Sequence, residues 1–152
     1  DKMRLWGEGT SPGVGRLIGR VDSEYAALRE GLGLPGDKKY LDFLVEQGLV
    51  DHKRDTVHET ILASLLKNTE FQCGPNALQH RFVSEDVPFS LGLASSIGDE
   101  IGVETPVIDS LVTFGSAAAD RSYWTEGRSL ATLGLKGAGR DGLLSAVEQG
   151  WW

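Results

Sequence analysis

From Val14 to about Leu32 the apolar residues Leu17, Ile18, Val21, Tyr25, Leu28 and Leu32 recur at helical spacing, which predicts one long helix. Gly33 offers a left-handed stop, and Pro35 follows where a helix cannot continue. A second helix is predicted from Lys38 to Gln47 on Leu41, Phe43, Leu44 and Val45, with Gly48 as its end. Thr56-Val57-His58-Glu59 has the form of a capping box, in which hydroxyl and carboxylate each answer an unpaired backbone amide. The helix it opens is expected to run through Ile61, Leu62, Leu65 and Leu66 to about Lys67.

Asn68 to Glu85 reads as irregular chain. Pro88 fits the first turn of the next helix, where a missing amide does no harm, and that helix is expected to reach Ile101 with Gly102 just beyond. Thr105-Pro106 pairs a hydroxyl cap with proline at the first helical position, ahead of Ile108, Leu111, Val112 and Phe114. A short helix is predicted around Thr125 to Leu133 and a last one around Arg140 to Gln149. Strand alternation is nowhere sustained. The fold class is therefore all-α, a single domain over residues 1–152 with about six or seven helices.

Length and charge narrow the picture further. A chain of 152 residues has room for one domain with one core. The net charge of −7, from 22 acidic against 15 basic residues, argues against a phosphate-neutralising face for nucleic acid and against anionic membrane surfaces. The one cysteine, Cys73, can form no intrachain disulfide, which suits a reducing compartment, and reads as a small buried hydrophobe. No run approaches the roughly 20 apolar residues of a membrane span, so a cytoplasmic location is expected. Asp1 in place of an initiator methionine fits an internal boundary, a processed end or a trimmed one. Gly7-Glu8-Gly9 suggests a phosphate-binding loop, but that fingerprint needs a preceding strand, a third glycine at the right offset and an acidic residue about 20 positions on. It reads as a turn, and no cofactor-binding residue is assigned.

The histidines His52, His58 and His80 lack the converging spacing of a zinc site, so no metal is expected. The richest constellation is Arg81-Phe82-Val83-Ser84-Glu85-Asp86-Val87-Pro88. Arg81 has the planar fork that grips a carboxylate with paired hydrogen bonds. Asp86 can orient a histidine and stabilise its protonated form. The plainer alternative is that Asp86 caps a helix while Arg81 answers Glu85 or a carbonyl, and spacing leaves both open. In Asp120-Arg121-Ser122-Tyr123-Trp124-Thr125-Glu126-Gly127-Arg128, the aromatic pair reads as a helix anchor and Arg128 as structural. An acid hydrolase built on Glu85 and Asp86 fits poorly, because adjacent side chains seldom flank a scissile bond.

Three ordered motifs, Arg81-Phe82-x-x-Glu85-Asp86-Val87-Pro88-Phe89, Gly102-Val103-x-Thr105-Pro106-x-Ile108-Asp109-x-Leu111 and Tyr123-Trp124-x-x-Gly127-Arg128-x-Leu130-x-x-Leu133-Gly134-Leu135, resemble the C-terminal helical domain of the octopine/nopaline (opine) dehydrogenase family. Glu8-Gly9-Thr10 and the Asp22-x-Glu24 helix ending in Gly31-Leu32-Gly33 extend the resemblance more loosely over the N-terminal half. It implies a fold like the C-terminal domain of 6-phosphogluconate dehydrogenase. The implied chemistry is the joining of an amino acid to a 2-oxo acid such as pyruvate, with reduction of the imine by NAD or NADP in its reduced form. The cofactor would be presented mainly by a separate Rossmann domain. By motif position Asp86 resembles the family's catalytic aspartate, partner of a histidine, and Arg81 the arginine that holds a substrate carboxylate. The family histidine falls ahead of this chain, and Phe82 stands where tyrosine is common. The chain alone is therefore not expected to turn over. The alternative is a non-catalytic helical module that binds a partner or forms a homodimer through Phe114-Gly115-Ser116-Ala117-Ala118-Ala119, although that run reads first as core.

Overall fold

A computed structural model of the chain describes residues 4–65 and 80–150. Among them are helices and no strand: α1 (Pro12–Gly31), α2 (Tyr40–Glu46), α3 (Val57–Ala63), α4 (Arg81–Ser84), a π-helical turn (Asp86–Leu91), α5 (Gly92–Ile101), α6 (Pro106–Ala119), α7 (Tyr123–Glu126) and α8 (Gly139–Gln149). The all-α expectation holds for these residues. Cys73 and most of the stretch read as irregular lie outside the described residues, whereas the third helix, expected to run to about Lys67, ends at Ala63, where Ser64 turns extended. The fold resolves into two compact units, Asp1–Ser23 with Asp37–Asn76, and Glu24–Gly36 with Ala77–Trp152. The division falls inside α1, so each unit takes part of that helix.

The first unit buries Leu44, Val50 and Ile61 together, with Trp6, Ile18, Tyr40 and Val57 packed around them. Near neighbours start α3, and α2 is started by one near and one distant carboxylate. Thr56 Oγ1 accepts from Glu59 N at 3.1 Å and the Glu59 carboxylate accepts from Thr56 N at 3.2 Å, which is the capping box read from the sequence. Asp42 accepts from Lys39 N at the start of α2, and Asp22 on α1 accepts from Tyr40 N at 3.0 Å.

The second unit is centred on Ile108 and Val112, both wholly buried, with Leu28, Tyr123, Leu130 and Leu143 also in the core. Here the helix starts are supplied from far along the chain. The Glu24 carboxylate accepts from Val107 N at 2.8 Å and from Ile108 N at 2.9 Å, satisfying two first-turn amides of α6. Thr105 is the residue ahead of α6, as expected, but its hydroxyl donates to the Asp109 carboxylate and makes no cap bond to the backbone. The reason is occupancy: Glu24 already holds the amides a hydroxyl would have taken. Glu100 does the same before α8, accepting from Gly137 N at 2.9 Å and Gly139 N at 2.7 Å.

Three readings are corrected. The helix expected to begin near Pro88 is preceded by α4 and the π turn, so helical backbone starts at Arg81. The helix expected over Thr125 to Leu133 is a single turn ending at Glu126, followed by hydrogen-bonded turns. Leu130 is buried and Leu133 half-buried at helical spacing, yet the chain carries them inward without a helix. The small-residue run of α6 is not simply core: Phe114 is 72% exposed, while Gly115 is buried. The helix stops at Gly33, Gly48 and Gly102, in contrast, all have positive φ, between 66° and 75°, as left-handed ends require.

Candidate functional site

The site grows out of the π turn. At its end Gly92 N donates to the Val87 carbonyl, five residues back, where an α-helix would use Pro88. This leaves the Pro88 carbonyl without its helical donor, and Arg128 N donates to it at 3.0 Å. The preceding residue must let the two backbones meet. A Cβ on Gly127 would stand 2.3 Å from the Pro88 carbonyl oxygen and 2.5 Å from that of Tyr123, so only glycine fits there. Two motifs separated along the chain, Glu85-Asp86-Val87-Pro88 and Tyr123-Trp124-x-x-Gly127-Arg128, are thus one piece of structure.

Beside this junction lies an open cleft of about 720 Å³. Tyr25, Glu85, Asp86, Phe89, Ser90 and Arg128 line it, with Leu93, Ala94 and Ile97 of α5 as its apolar part. The Arg128 guanidinium carbon lies 5.8 Å from the centre of the Phe89 ring, within cation–π range, and both residues line the cleft. Asp86 is the first residue of the π turn and is exposed.

The two residues singled out from sequence are therefore placed differently. Asp86 lines the cleft. Arg81 does not; it is the first residue of α4, is exposed, and holds its guanidinium 5.8 Å from the centre of the Phe82 ring. Phe82 in turn meets His80 edge-on at 4.6 Å. Sequence reasoning missed Tyr25 and Arg128 as cleft residues. For Arg128 a signal existed, since the residue sits in a quoted motif directly after a glycine. Of the aromatic pair, Tyr123 is a buried anchor, whereas Trp124 is exposed and donates to Thr113 Oγ1 at 3.4 Å.

The histidines have other roles. His52 lies against Asp51 at 3.1 Å, His58 Nδ1 donates to the Thr10 carbonyl at 2.5 Å, and His80 precedes α4 and accepts from Phe82 N. Among the described residues no three His, Cys, Asp or Glu side chains converge as a metal site, and no helix is long and apolar enough to cross a membrane.

The glycine-rich segment before α1 does not fit a dinucleotide. Gly7 N and Gly9 N both donate to the Arg4 carbonyl, so these amides are spent on the turn itself. Glu8 stands in it, its carboxyl held down at a pKa of about 2 by the hydrogen bond from the Arg4 side chain, and repels phosphate.

The family profile described as NAD/NADP octopine/nopaline dehydrogenase, alpha-helical domain, matches residues 1–119. The chain belongs to the octopine/nopaline dehydrogenase family. The profile match spans Arg81 and Asp86 and ends before the Tyr123–Leu135 motif. The opine dehydrogenase of Arthrobacter sp. (strain 1C) is 32% identical over 145 residues, covering 93% of this chain and 38% of its own length. Protein ocs of Agrobacterium vitis and of Agrobacterium tumefaciens (strain Ach5) are each 33% identical over 73 residues, 48% of this chain and 20% of theirs. The chain thus spans well under half of these relatives.

Proposed function

We propose that this chain is the substrate-side helical domain of an NAD(P)-dependent opine dehydrogenase, which joins an amino acid to a 2-oxo acid such as pyruvate and reduces the imine. The observation that carries the reading is Asp86 at the wall of the cleft, in a chain of the octopine/nopaline dehydrogenase family. The Gly7–Gly9 turn does not fit the dinucleotide, and the cofactor would be held mainly by a Rossmann domain, in the same or a separate polypeptide.

Within the cleft, Asp86 acts as an anionic partner for a histidine contributed from outside this chain. A carboxylate beside an imidazole fixes its tautomer and favours its protonated form, which suits a group that passes a proton to or from the reacting nitrogen or oxygen. Arg81 is the residue that answers a substrate carboxylate. Because it stands outside the cleft lining, this role requires its side chain to leave Phe82 and turn toward the substrate. An arginine on an exposed stem does so at little cost.

The test uses the chain together with its Rossmann domain, and follows NAD(P)H consumption with pyruvate and a panel of amino acids. Substrate-dependent consumption is expected, and its absence with every pair would overturn the proposal. Asp86→Asn is expected to lower turnover more than it raises either Michaelis constant; full turnover would remove Asp86 from the chemistry. Arg81→Ala is expected to raise the Michaelis constant for a carboxylate substrate by about 2–3 kcal/mol of lost binding, the scale of a charged hydrogen-bond pair.

A second reading, a homodimerisation module, is favoured by the exposure of Phe114 and Val147, at 72% and 79%. Sedimentation across a range of concentrations decides it, and a monomer throughout would remove it.

A further inference from the structure

The cleft carries two carboxylates, Glu85 and Asp86, and among the described residues that line it Arg128 is the one cation. A substrate pair made of an amino acid and a 2-oxo acid brings two more carboxylates, one at each side of the bond to be formed. Four negative groups around a single cleft repel one another unless cations answer them. Arg81 is assigned to one substrate carboxylate and leaves the other without a partner.

We propose that Arg128 binds that other carboxylate and so selects for substrates that carry one there. This rests on the opine dehydrogenase reading. Three features prepare Arg128 for the task. Its backbone is fixed, because its amide donates to the Pro88 carbonyl at 3.0 Å and Gly127 allows no retreat. Its guanidinium carbon stands 5.8 Å from the centre of the Phe89 ring, within cation–π range, and its planar fork can form the paired hydrogen bonds a carboxylate accepts. Two other arginines of the same unit are committed elsewhere: Arg121 is paired with Glu126, and Arg140 donates to the Leu32 carbonyl at 3.1 Å. An arginine anchored through its backbone and held near an aromatic ring has less freedom left to lose when a ligand arrives, which favours affinity.

The reading of this arginine as a structural residue is thus divided between two parts of it. The backbone joins the π turn to the segment after α7 through the hydrogen bond to Pro88, whereas the side chain meets the turn at the Phe89 ring. Removing the side chain therefore leaves the Pro88 bond in place, and the substitution tests binding without dismantling the junction.

The experiment compares Arg128→Ala, Arg128→Met and Arg128→Lys in the assembled enzyme, each with the amino acid and the 2-oxo acid varied separately. Arg128→Met keeps an apolar stem against Phe89 and remains readable if the alanine variant folds poorly. The expected result is a rise in one Michaelis constant on the order of 30-fold, about 2 kcal/mol, with a smaller change in the other and in kcat. Arg128→Lys should recover the charge but only a minority of the loss, since an ammonium cannot make the paired contact. Arg121→Ala, which removes an exposed cation of the same unit, should leave both constants unchanged. An active parent enzyme whose Arg128→Met variant keeps both constants within about twofold would overturn the role of Arg128 alone. A parent enzyme that consumes no NAD(P)H with any substrate pair would overturn the opine reading and this inference with it.

Discussion

Helix α3 in the first unit and α6 in the second solve the same problem at different range. In the first, the amides at the start of α3 are answered by Thr56 and Glu59, within a single turn of the chain. In the second, α6 is answered by Glu24 and the backbone ahead of α8 by Glu100, carboxylates from distant helices. The candidate site lies in the long-range unit, and so does the Pro88–Arg128 junction beside it. Local caps make a helix start wherever the sequence places it. Long-range caps make a helix start only when another element has already arrived, so they hold elements in fixed relation, which a substrate cleft needs and a peripheral helix does not.

The sharpest way to break this contrast is at Gly127. Gly127→Ala places a methyl group against two backbone carbonyls that cannot turn aside, and about 2–3 kcal/mol of destabilisation is expected. Denaturant unfolding measures it, and a neutral substitution would mean that the junction is loose. Next come the two kinds of cap. Glu24→Ala strips two part-buried amides of their acceptor and is expected to cost about 2 kcal/mol, whereas Thr56→Ala should cost about 1 kcal/mol. If the two substitutions cost the same, range along the chain has no energetic meaning here. The effect of Thr56→Ala on substrate binding should be nil, while Glu24→Ala should weaken it.

The smallest effect concerns acid. The amides of Gly137 and Gly139 lower the pKa of Glu100 below its ordinary value of 4.5. A carboxyl lowered in the folded state contributes stability that is fully present above the unfolded value and is lost as pH falls through the folded one. Wild-type stability should therefore decline below about pH 4.5 more steeply than that of Glu100→Gln. Parallel thermal midpoints across that range would show that Glu100 holds nothing in place.

The same difference in range explains what could be read from the chain. The Thr56 box and the stops at Gly33, Gly48 and Gly102 were legible because every participant lies within a few residues. The cap of α6 was not, since no local pattern announces a carboxylate 83 positions away, and Thr105 offered a plausible local substitute. Pro88 misled in a related manner. A proline suits a first turn, but the π turn accommodates it equally, because the backbone bond that it forgoes is not needed there. Asp86 was found through its motif, and its place in the cleft follows from the π turn. Arg128 reads as structural from sequence, and the glycine before it marks only a backbone role. The direction of a guanidinium has no such mark.

The π turn has one more consequence, for how this region tolerates change in length. In effect it is an α-helix with one residue too many, and the surplus is stored between Asp86 and Leu91. Deleting a single residue there would restore ordinary helical pairing, but it would also rotate everything upstream by about 100° around the helix axis. Asp86 would swing away from the wall it shares with Arg128, and the Pro88 carbonyl would regain a donor in its own helix. Arg128 would then lose its anchor as well. One inserted residue thus sets the phase between α4 and α5, and a shortened chain would keep its helices while putting its acid on the wrong side.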